Sequence, residues 1–180
     1  MAVPVTRLTI DDFEKLPDEL AYYHELVDGE LVDVSGNTPN HNLLRDALIA
    51  MLLPYVKEHE LGKVIGEQEY QFEKDAHGPD VTFFLPDKAR LLNESLRVQR
   101  FVPDLAIEIV SENDAFKKLI RKVERYRRCG TKGVWVFDID SRRAFLFSET
   151  GDAMLTENDM FQSSLIPGFS IRLGDLFDQI

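Results

Sequence analysis

The sequence has little cysteine: Cys129 is the only one in 180 residues. A lone cysteine cannot form an internal disulfide bond, which excludes a disulfide-stabilised secreted scaffold and fits a reducing compartment. Long apolar runs are also missing. No stretch approaches the roughly 20 residues needed to cross a bilayer, and the first residues lack the apolar segment of a signal peptide. We therefore expect a cytoplasmic protein with no membrane partner.

Positive charge is scarce overall. The chain has 21 Lys and Arg against 32 Asp and Glu, a net charge of -11 at pH 7. Proteins that bind nucleic acid mainly through phosphate contacts are usually basic, so the chain as a whole lacks that property. However, one segment with a single acid, Glu124, is rich in cations: Lys117, Lys118, Arg121, Lys122, Arg125, Arg127 and Arg128. This basic segment is either a solvated helix face or a local contact for nucleic acid.

The remaining composition is typical of a globular protein, with 44% hydrophobic and 29% charged residues. The length fits one domain over residues 1–180. Strand-forming runs on both sides of Asp28-Gly29 predict a β-hairpin near the N-terminus. A strand over Leu105–Val110, a helix over Ala115–Cys129 and a strand over Val134–Phe137 have the length of a parallel βαβ crossover. We therefore predict a mixed α/β (α+β) domain.

Other segments complete the predicted order of elements. Thr9 is placed to cap a short first helix. Apolar residues at helical spacing from Leu43 to Val56 predict a longer helix, with Pro54 bending or unravelling its last turn. Strands are predicted over Val64–Phe72 and Val81–Leu85, separated by a turn at 75–79. Two further elements are a strand over Ala144–Phe147 and a short helix over Leu173–Ile180.

The segment Leu105–Val110 is the most informative in the chain, because it places a glutamate inside an apolar strand. Period-two alternation puts Glu108 on the same face as Ala106 and Val110. An ionised carboxylate between apolar neighbours costs several kcal/mol unless it is paired, neutralised or bound to a metal. From this segment alone, a salt bridge to an arginine and a metal site both remain open.

Asp80 and Lys122 are the next candidates. Asp80 lies where a turn becomes the strand at Val81, which is also a commonplace position for a turn aspartate. Two carboxylates on neighbouring strands can hold Mg²⁺, which prefers oxygen ligands and keeps waters for a substrate phosphate. Lys122 falls at the edge of the apolar face of its helix, beside Tyr126, where it can bury its stem and extend its ammonium group along the sheet.

Two polar residues upstream are weaker candidates. His41 shares an edge of the apolar face of its helix and lies near the helix N-terminus, where backbone N–H groups favour an anion. A hydrogen-bonded histidine at the border of the core is the alternative. Glu25 lies in the predicted hairpin, where a cross-strand ion pair is the simplest explanation.

Several segments occur together in an order that resembles a known family: residues 23–31, His41, Pro79-Asp80, residues 103–111, residues 122–126 and residues 134–138. The chain resembles the bacterial putative restriction endonuclease family of the PD-(D/E)XK nuclease superfamily, from about residue 8 to about residue 175. The resemblance implies a restriction-endonuclease-like fold, in which helices flank a central mixed β-sheet with an N-terminal hairpin.

The resemblance also implies roles for individual residues. Asp80 and Glu108 would be the two acids that bind the metal, and Lys122 the catalytic lysine, moved onto the following helix. Glu25 and His41 match recurring polar positions of the family's site. The chain departs from the family at Ser111-Glu112-Asn113, where members often have Ser-Pro-Ser, and at Lys118, where they often have aspartate.

The implied function is metal-dependent cleavage of nucleic acid, most simply DNA, with Mg²⁺ as the ion and Mn²⁺ as a substitute. Asp80, Glu108 and the carbonyl of Ile109 would hold the metal, and the basic segment would follow the nucleic-acid backbone. Because both strands of a duplex are often cut by two copies, a homodimer is a further expectation. Two alternatives remain: a catalytically inactive module that binds nucleic acid or a partner protein, and a structural protein in which Glu108 is only paired with Arg125 or Lys122.

Overall fold

The computed structural model describes residues 7–110 and 116–180. Its helices are α1 (Ile10–Glu14), α2 (Asp18–Ala21), α3 (Pro39–Glu58), α4 (Pro86–Ala89), α5 (Phe116–Arg128) and α6 (Leu173–Phe177). Its strands are β1 (His24–Val27), β2 (Glu30–Asp33), β3 (Lys63–Gly66), β4 (Glu69–Phe72), β5 (Asp75–His77), β6 (Val81–Phe84), β7 (Val98–Gln99), β8 (Leu105–Val110), β9 (Gly133–Asp138), β10 (Arg143–Ser148), β11 (Gly151–Leu155), β12 (Met160–Ser163) and β13 (Ile166–Arg172). None of these helices is long and apolar enough to cross a membrane.

The strands form three sheets. The largest has the order β11-β10-β9-β8-β6-β3, the second has the order β2-β1-β5-β4-β7, and β12 pairs with β13. In the largest sheet β8 and β9 are parallel and joined by α5, whereas the other neighbouring strands are antiparallel. The predicted βαβ crossover is therefore confirmed, and the central sheet is mixed.

The N-terminal part follows its local sequence signals. Thr9 caps α1, and its side chain accepts the backbone N–H of Asp12. Strands β1 and β2 form the predicted hairpin around Asp28 and Gly29, whose φ angles are 53° and 81°. Positive φ at both central positions is what a two-residue type I′ turn requires, and Asp-Gly adopts it at low energetic cost.

Strand β8 lies at the centre of the core, buried on both faces as its apolar run predicts. Leu105, Ile107 and Ile109 pack in a cluster with residues of α3 such as Leu44 and Leu48. On the other face Ala106 belongs to a second apolar cluster. This cluster includes residues of β9, Val123 and Tyr126 of α5, and Tyr70 and Phe72 of β4. Helix α5 thus packs against both large sheets, with Glu108 on the face that it covers.

Two local expectations are wrong, and a third is wrong in one of its two alternatives. Residues 64–72 form two strands in different sheets, because the chain turns at Glu67, where φ is 52°. Residues 75–77 form the buried strand β5, not a turn, because they pair between β1 and β4. Helix α3 does not unravel at Pro54 but continues to Glu58, because Leu52 and Val56 on either side of the proline are buried in the core. Ala115, the predicted start of α5, and the segment 111–113 lie outside the described residues.

Candidate active site

The antiparallel pairing of β6 and β8 brings Asp80 and Glu108 together. Val81 pairs with Ile107 and Thr82 with Ala106. Continuing this register by one residue places Asp80 opposite Glu108, and residues directly opposite in antiparallel strands have their Cβ atoms roughly 4.5–5.5 Å apart. The two acids that were predicted from distant segments are therefore cross-strand neighbours.

Glu108 is buried, with 7% of its surface exposed, and both oxygens of its carboxylate accept hydrogen bonds from α5. Lys122 Nζ donates to Oε2 at 3.0 Å, and the hydroxyl of Tyr126 donates to Oε1 at 2.7 Å. These donors are four residues apart, so they lie on one face of α5. The residue that pairs with Glu108 is thus a lysine, and not an arginine.

Lys122 links Glu108 to the N-terminal hairpin. Its Nζ also lies 2.9 Å from Oε1 of Glu25, a residue of β1 that is buried like Glu108. The backbone N–H of Gly78 donates to the same carboxylate at 3.1 Å. Glu25, Lys122 and Glu108 therefore form one buried ion triplet in which a single ammonium group bridges two carboxylates.

A second set of contacts, made by His77, Arg125 and Asp75, supports Glu25. His77 Nδ1 lies 2.8 Å from Glu25 Oε2, and His77 Nε2 lies 2.9 Å from Nη1 of Arg125. A guanidinium group can only donate, so Nε2 accepts and Nδ1 carries the proton that His77 donates to Glu25. The same Nη1 of Arg125 lies 2.5 Å from Oδ2 of Asp75. Arg125 therefore belongs to this supporting layer and does not neutralise Glu108.

Asp80 is held by the backbone of β8 and by α3. The N–H of Ile109 donates to Asp80 Oδ2 at 2.7 Å, and His41 Nε2 lies 3.2 Å from Asp80 Oδ1. His41 is in the first turn of α3, where Thr38 caps the helix. The side chain of Asp80 is 14% exposed and that of Glu108 is 9% exposed, so Asp80 is slightly the more accessible of the two acids.

The protonation behaviour of the three ionic residues follows from burial and from their partners. Burial raises the pKa of Glu108 to about 7, with Asp80 and Glu25 adding to the rise and Lys122 opposing it. Burial acts in the same direction on Glu25, but Lys122 and the hydrogen bond from His77 prevail and lower its pKa to about 2. Burial would lower the pKa of Lys122, yet Glu108 and Glu25 raise it above its ordinary value. Lys122 is therefore a permanent cation at neutral pH.

The site has more negative than positive charge. Within the described residues, four carboxylates, from Glu25, Asp75, Asp80 and Glu108, form ion pairs with only two side chains that are always cationic, Lys122 and Arg125. When all four are ionised, they outnumber these two cations by two in a mostly buried region. Such a surplus is costly unless a cation or protons balance it.

A divalent cation fits this donor set, within limits that the residues define. Across the described ranges 7–110 and 116–180, no three His, Cys, Asp or Glu side chains converge as a complete metal cage. Two neighbouring carboxylates suffice for Mg²⁺, which keeps several waters and takes further oxygens from substrate phosphates. The arrangement therefore suits an open site of the Mg²⁺ type better than a closed structural site.

All five residues predicted from the sequence, Glu25, His41, Asp80, Glu108 and Lys122, lie in this one network. The sequence interpretation missed His77 and Asp75, and did not assign Tyr126 to the site. Tyr126 was read as a core residue, which its ring is, because the ring stacks on Phe72 at 4.3 Å. Its position four residues after Lys122 was the available signal for the hydroxyl. His77 and Asp75 gave no signal, since their partners lie about 50 residues away in the chain.

Comparisons with known proteins identify the family and the fold of the chain. The Uma2 family model, described as "Putative restriction endonuclease", matches residues 10–174. Among solved structures, the chain is similar to the crystal structure of a putative nuclease belonging to DUF820 from Anabaena variabilis ATCC 29413. The TM-score is 0.83 at 20% identity, over 96% of this chain and 98% of that chain. At this identity the similarity establishes the fold, and it confirms the predicted restriction-endonuclease-like architecture. No curated protein matched the sequence.

Proposed function

The chain belongs to the Uma2 family of putative restriction endonucleases, and on this premise we propose that it is a metal-dependent endonuclease that cleaves DNA. The observation that carries the proposal is the cross-strand pair Asp80 and Glu108, bridged to the rest of the site by Lys122 within a surplus of negative charge. We propose Mg²⁺ as the ion, with Mn²⁺ able to replace it.

In this proposal Asp80 and Glu108 hold the metal through their carboxylate oxygens. When bound, a divalent ion lowers the pKa of a coordinated water and offsets the charge that develops on the phosphate in the transition state. Glu108 is engaged by Lys122 and Tyr126, but each carboxylate oxygen has two lone pairs and can accept a further partner. The Ile109 N–H holds the carboxylate of Asp80 in place beside Glu108.

Lys122 acts as a fixed donor and not as a base, because its carboxylate neighbours keep it protonated. Two of its three N–H groups are directed to Glu25 and Glu108. The third can stabilise negative charge on a phosphate oxygen or orient the attacking water. The role we assign to Glu25 is therefore to position Lys122, and the role we assign to His41 is to position Asp80.

The basic segment offers contacts for the nucleic-acid backbone at only one end. Towards its C-terminal end Arg127 pairs with Asp152 and Arg128 with Glu73. At its N-terminal end Lys117, Lys118 and Arg121 are exposed and make no ion pair with any described residue. Lys118 lies one helical turn before Lys122, so it shares the side of α5 that carries the catalytic lysine. These exposed cations support a phosphate-binding role next to the site.

The experiment is a cleavage assay with purified protein, Mg²⁺ or Mn²⁺, and three substrates: plasmid, single-stranded DNA and RNA. Asp80→Asn and Glu108→Gln should abolish cleavage without unfolding the chain. The matched controls Asp87→Asn and Glu94→Gln change exposed acids and should cleave as the wild type does. Cleavage that survives both site substitutions would refute the assignment.

Metal binding, measured by titration calorimetry, separates an enzyme from an inactive nuclease-fold module. The proposal requires Mn²⁺ binding that is lost in both site variants and cleavage that depends on the same two residues. Nucleic-acid binding without cleavage and without metal dependence would favour the module. Binding of neither metal nor nucleic acid would favour the structural protein, for which the closed contact between Lys122 and Glu108 is the supporting observation.

A further inference from the structure

Two adjacent tyrosines are unusually exposed beside the site. Tyr22 is 67% and Tyr23 is 51% exposed, and their rings meet edge to face with centroids 5.1 Å apart. Their backbone is fixed. The N–H of Tyr22 closes the last turn of α2, and the carbonyl of Tyr23 extends the β1–β2 ladder by accepting the N–H of Val34. The rings therefore project from a rigid support, and most of their surface is available to a ligand.

Contacts link this tyrosine pair, Tyr22 and Tyr23, to residues that flank the site. The hydroxyl of Tyr22 lies 3.5 Å from the carboxylate of Glu67, whose backbone N–H donates to the carbonyl of Asp80 at 3.1 Å. Glu67 also binds Arg45, which lies one turn after His41 on α3. On the other side, Tyr23 precedes Glu25 by two residues, and Glu25 holds Lys122.

The charges near the site leave a limited role for phosphate contacts. Lys122 and Arg125 are engaged with carboxylates of the site, and Arg45 is engaged with Asp46 and Glu67. The protein as a whole carries a charge of -11. Exposed cations of α5 can neutralise only a few phosphates, so tight binding of nucleic acid requires contacts that do not depend on charge.

Aromatic faces supply such contacts, because a nucleobase stacks on tyrosine without regard to its sequence. In a duplex the base faces are covered by their neighbours, so the ligand must present an unpaired base. We propose that Tyr22 and Tyr23 form a stacking platform for an unpaired base of the nucleic-acid substrate. This inference rests on the proposed nuclease function and defines its substrate class: single strands, or duplexes with an unpaired nucleotide at the cleavage position.

Binding is tested in EDTA, which prevents metal-dependent hydrolysis, by fluorescence anisotropy with a labelled single strand of about 15 nucleotides and with the corresponding duplex. The wild type should bind the single strand more tightly. Tyr22→Ser/Tyr23→Ser should weaken that binding on the order of 10-fold or more. Tyr22→Phe/Tyr23→Phe keeps the ring faces and should bind as the wild type does. Leu91→Ser/Met160→Ser removes exposed apolar side chains elsewhere and should also have no effect.

A strand that contains abasic sites has the same phosphate charge but no bases to stack. The wild type should bind it as weakly as the serine double variant binds the normal strand. Any of three results would overturn the platform. The serine variant binds the normal strand as tightly as the wild type does, the wild type binds no single strand, or the wild type binds single strand, duplex and abasic strand with equal affinity.

Failure of the platform and failure of the proposed function are distinguishable. Cleavage that requires Asp80 and Glu108, together with binding that is independent of the tyrosine rings, overturns the platform alone. Ring-dependent binding without any cleavage overturns the nuclease assignment and leaves the platform in place.

Discussion

Asp80 and Asp104 occupy equivalent positions at opposite ends of the same strand pair. Each follows a proline and directly precedes a strand, β6 for Asp80 and β8 for Asp104. Each accepts a backbone N–H from the end of the partner segment, Asp80 from Ile109 at 2.7 Å and Asp104 from Leu85 at 3.0 Å. Because β6 and β8 are antiparallel, one local motif is used twice, once at each edge of the ladder.

The two ends differ in their charges. Lys88 and Lys132 each lie 3.1 Å from Oδ1 of the fully buried Asp104. Burial alone would raise the pKa of Asp104, but the Leu85 N–H and the two lysines lower it. Asp80 instead faces a second carboxylate, Glu108. Pro-Asp at a strand start is therefore a scaffold whose use depends on the surrounding charge. Balanced charge fits a structural role for Asp104, and the surplus of negative charge around Asp80 supports the cation site that we propose.

The largest expected effects concern the two aspartates themselves. Asp80→Asn should lower the cleavage rate by about 10³-fold or more, since electrostatic groups at a reacting centre have effects of this order. Its free energy of unfolding should not fall, because one surplus charge is removed. Asp104→Asn should keep the cleavage rate of the folded protein but lower the free energy of unfolding by about 2 kcal/mol, because two lysines lose a buried partner.

Urea denaturation and cleavage assays on the same preparations measure both quantities. If Asp104→Asn abolished cleavage while remaining folded, the two ends of the ladder would not differ in function as inferred.

The lysines at the two ends extend the comparison. Lys122→Met should reduce cleavage by about 10²-fold, because it removes the donor that serves the reacting phosphate. It should also destabilise the fold by leaving Glu25 and Glu108 without their shared cation. Lys132→Met is the matched control. The side chain of Lys132 is 39% exposed, and Asp104 keeps Lys88, so cleavage should be unchanged. Equal losses of activity in the two variants would contradict the assignment of Lys122.

Divalent ions should stabilise the folded protein by binding at the Asp80 end of the β6–β8 pair, and not at the Asp104 end. A ligand that binds the folded state at 100 times its Kd adds about 2.7 kcal/mol to stability. Mn²⁺ should therefore raise the Tm of the wild type and of Asp104→Asn by several degrees, and leave the Tm of Asp80→Asn unchanged. Differential scanning fluorimetry with and without EDTA provides the measurement. An equal rise in all three proteins would show that the ion binds elsewhere.

The smallest expected effect is a pH dependence of stability at Glu25. Its pKa is about 2 in the folded protein and 4.5 when unperturbed. A lowered pKa means that ionised Glu25 stabilises the fold above pH 4.5, and that this contribution is lost as the pH falls from 4.5 towards 2. The unfolding free energy of the wild type should therefore fall more steeply in this range than that of Glu25→Gln. Parallel curves for the two proteins in acid-dependent denaturation would contradict the ion triplet.

The sequence predicted the centre of the site better than its supporting layer. Glu108 was recognisable because an acid interrupted an apolar strand, and the pattern of α5 indicated that Lys122 bordered the core. Asp75 and His77 were taken for a turn because polar residues beside glycine and proline suggest one. Their burial depends on Arg125 and Glu25, which are distant in the chain, and local propensity does not contain that information.

The same limit applies to the C-terminal strands. β11 is largely exposed, so no apolar face marks it. In β12 and β13 the alternation of exposed and less exposed residues is short, and in β13 it is interrupted at Pro167 and Gly168, so it was too weak to predict these strands. The division of residues 64–72 between two sheets was likewise missed. Gly66, directly before Glu67, was a local signal of the break, but a single glycine inside a strand pattern also fits a bulge. Only the pairing of β3 and β4 in different sheets distinguishes the two.

The register that sets Asp80 against Glu108 has a consequence for how this chain can diverge. A one-residue insertion or deletion inside β6 or β8 would slip the pairing, moving Asp80 away from Glu108 and turning alternate side chains to the opposite face. Length variation should therefore be tolerated at the exposed residues 140–141 of the turn between β9 and β10, and excluded from these two strands. Natural or engineered variants that remain nucleases should differ in β6 and β8 by substitution alone.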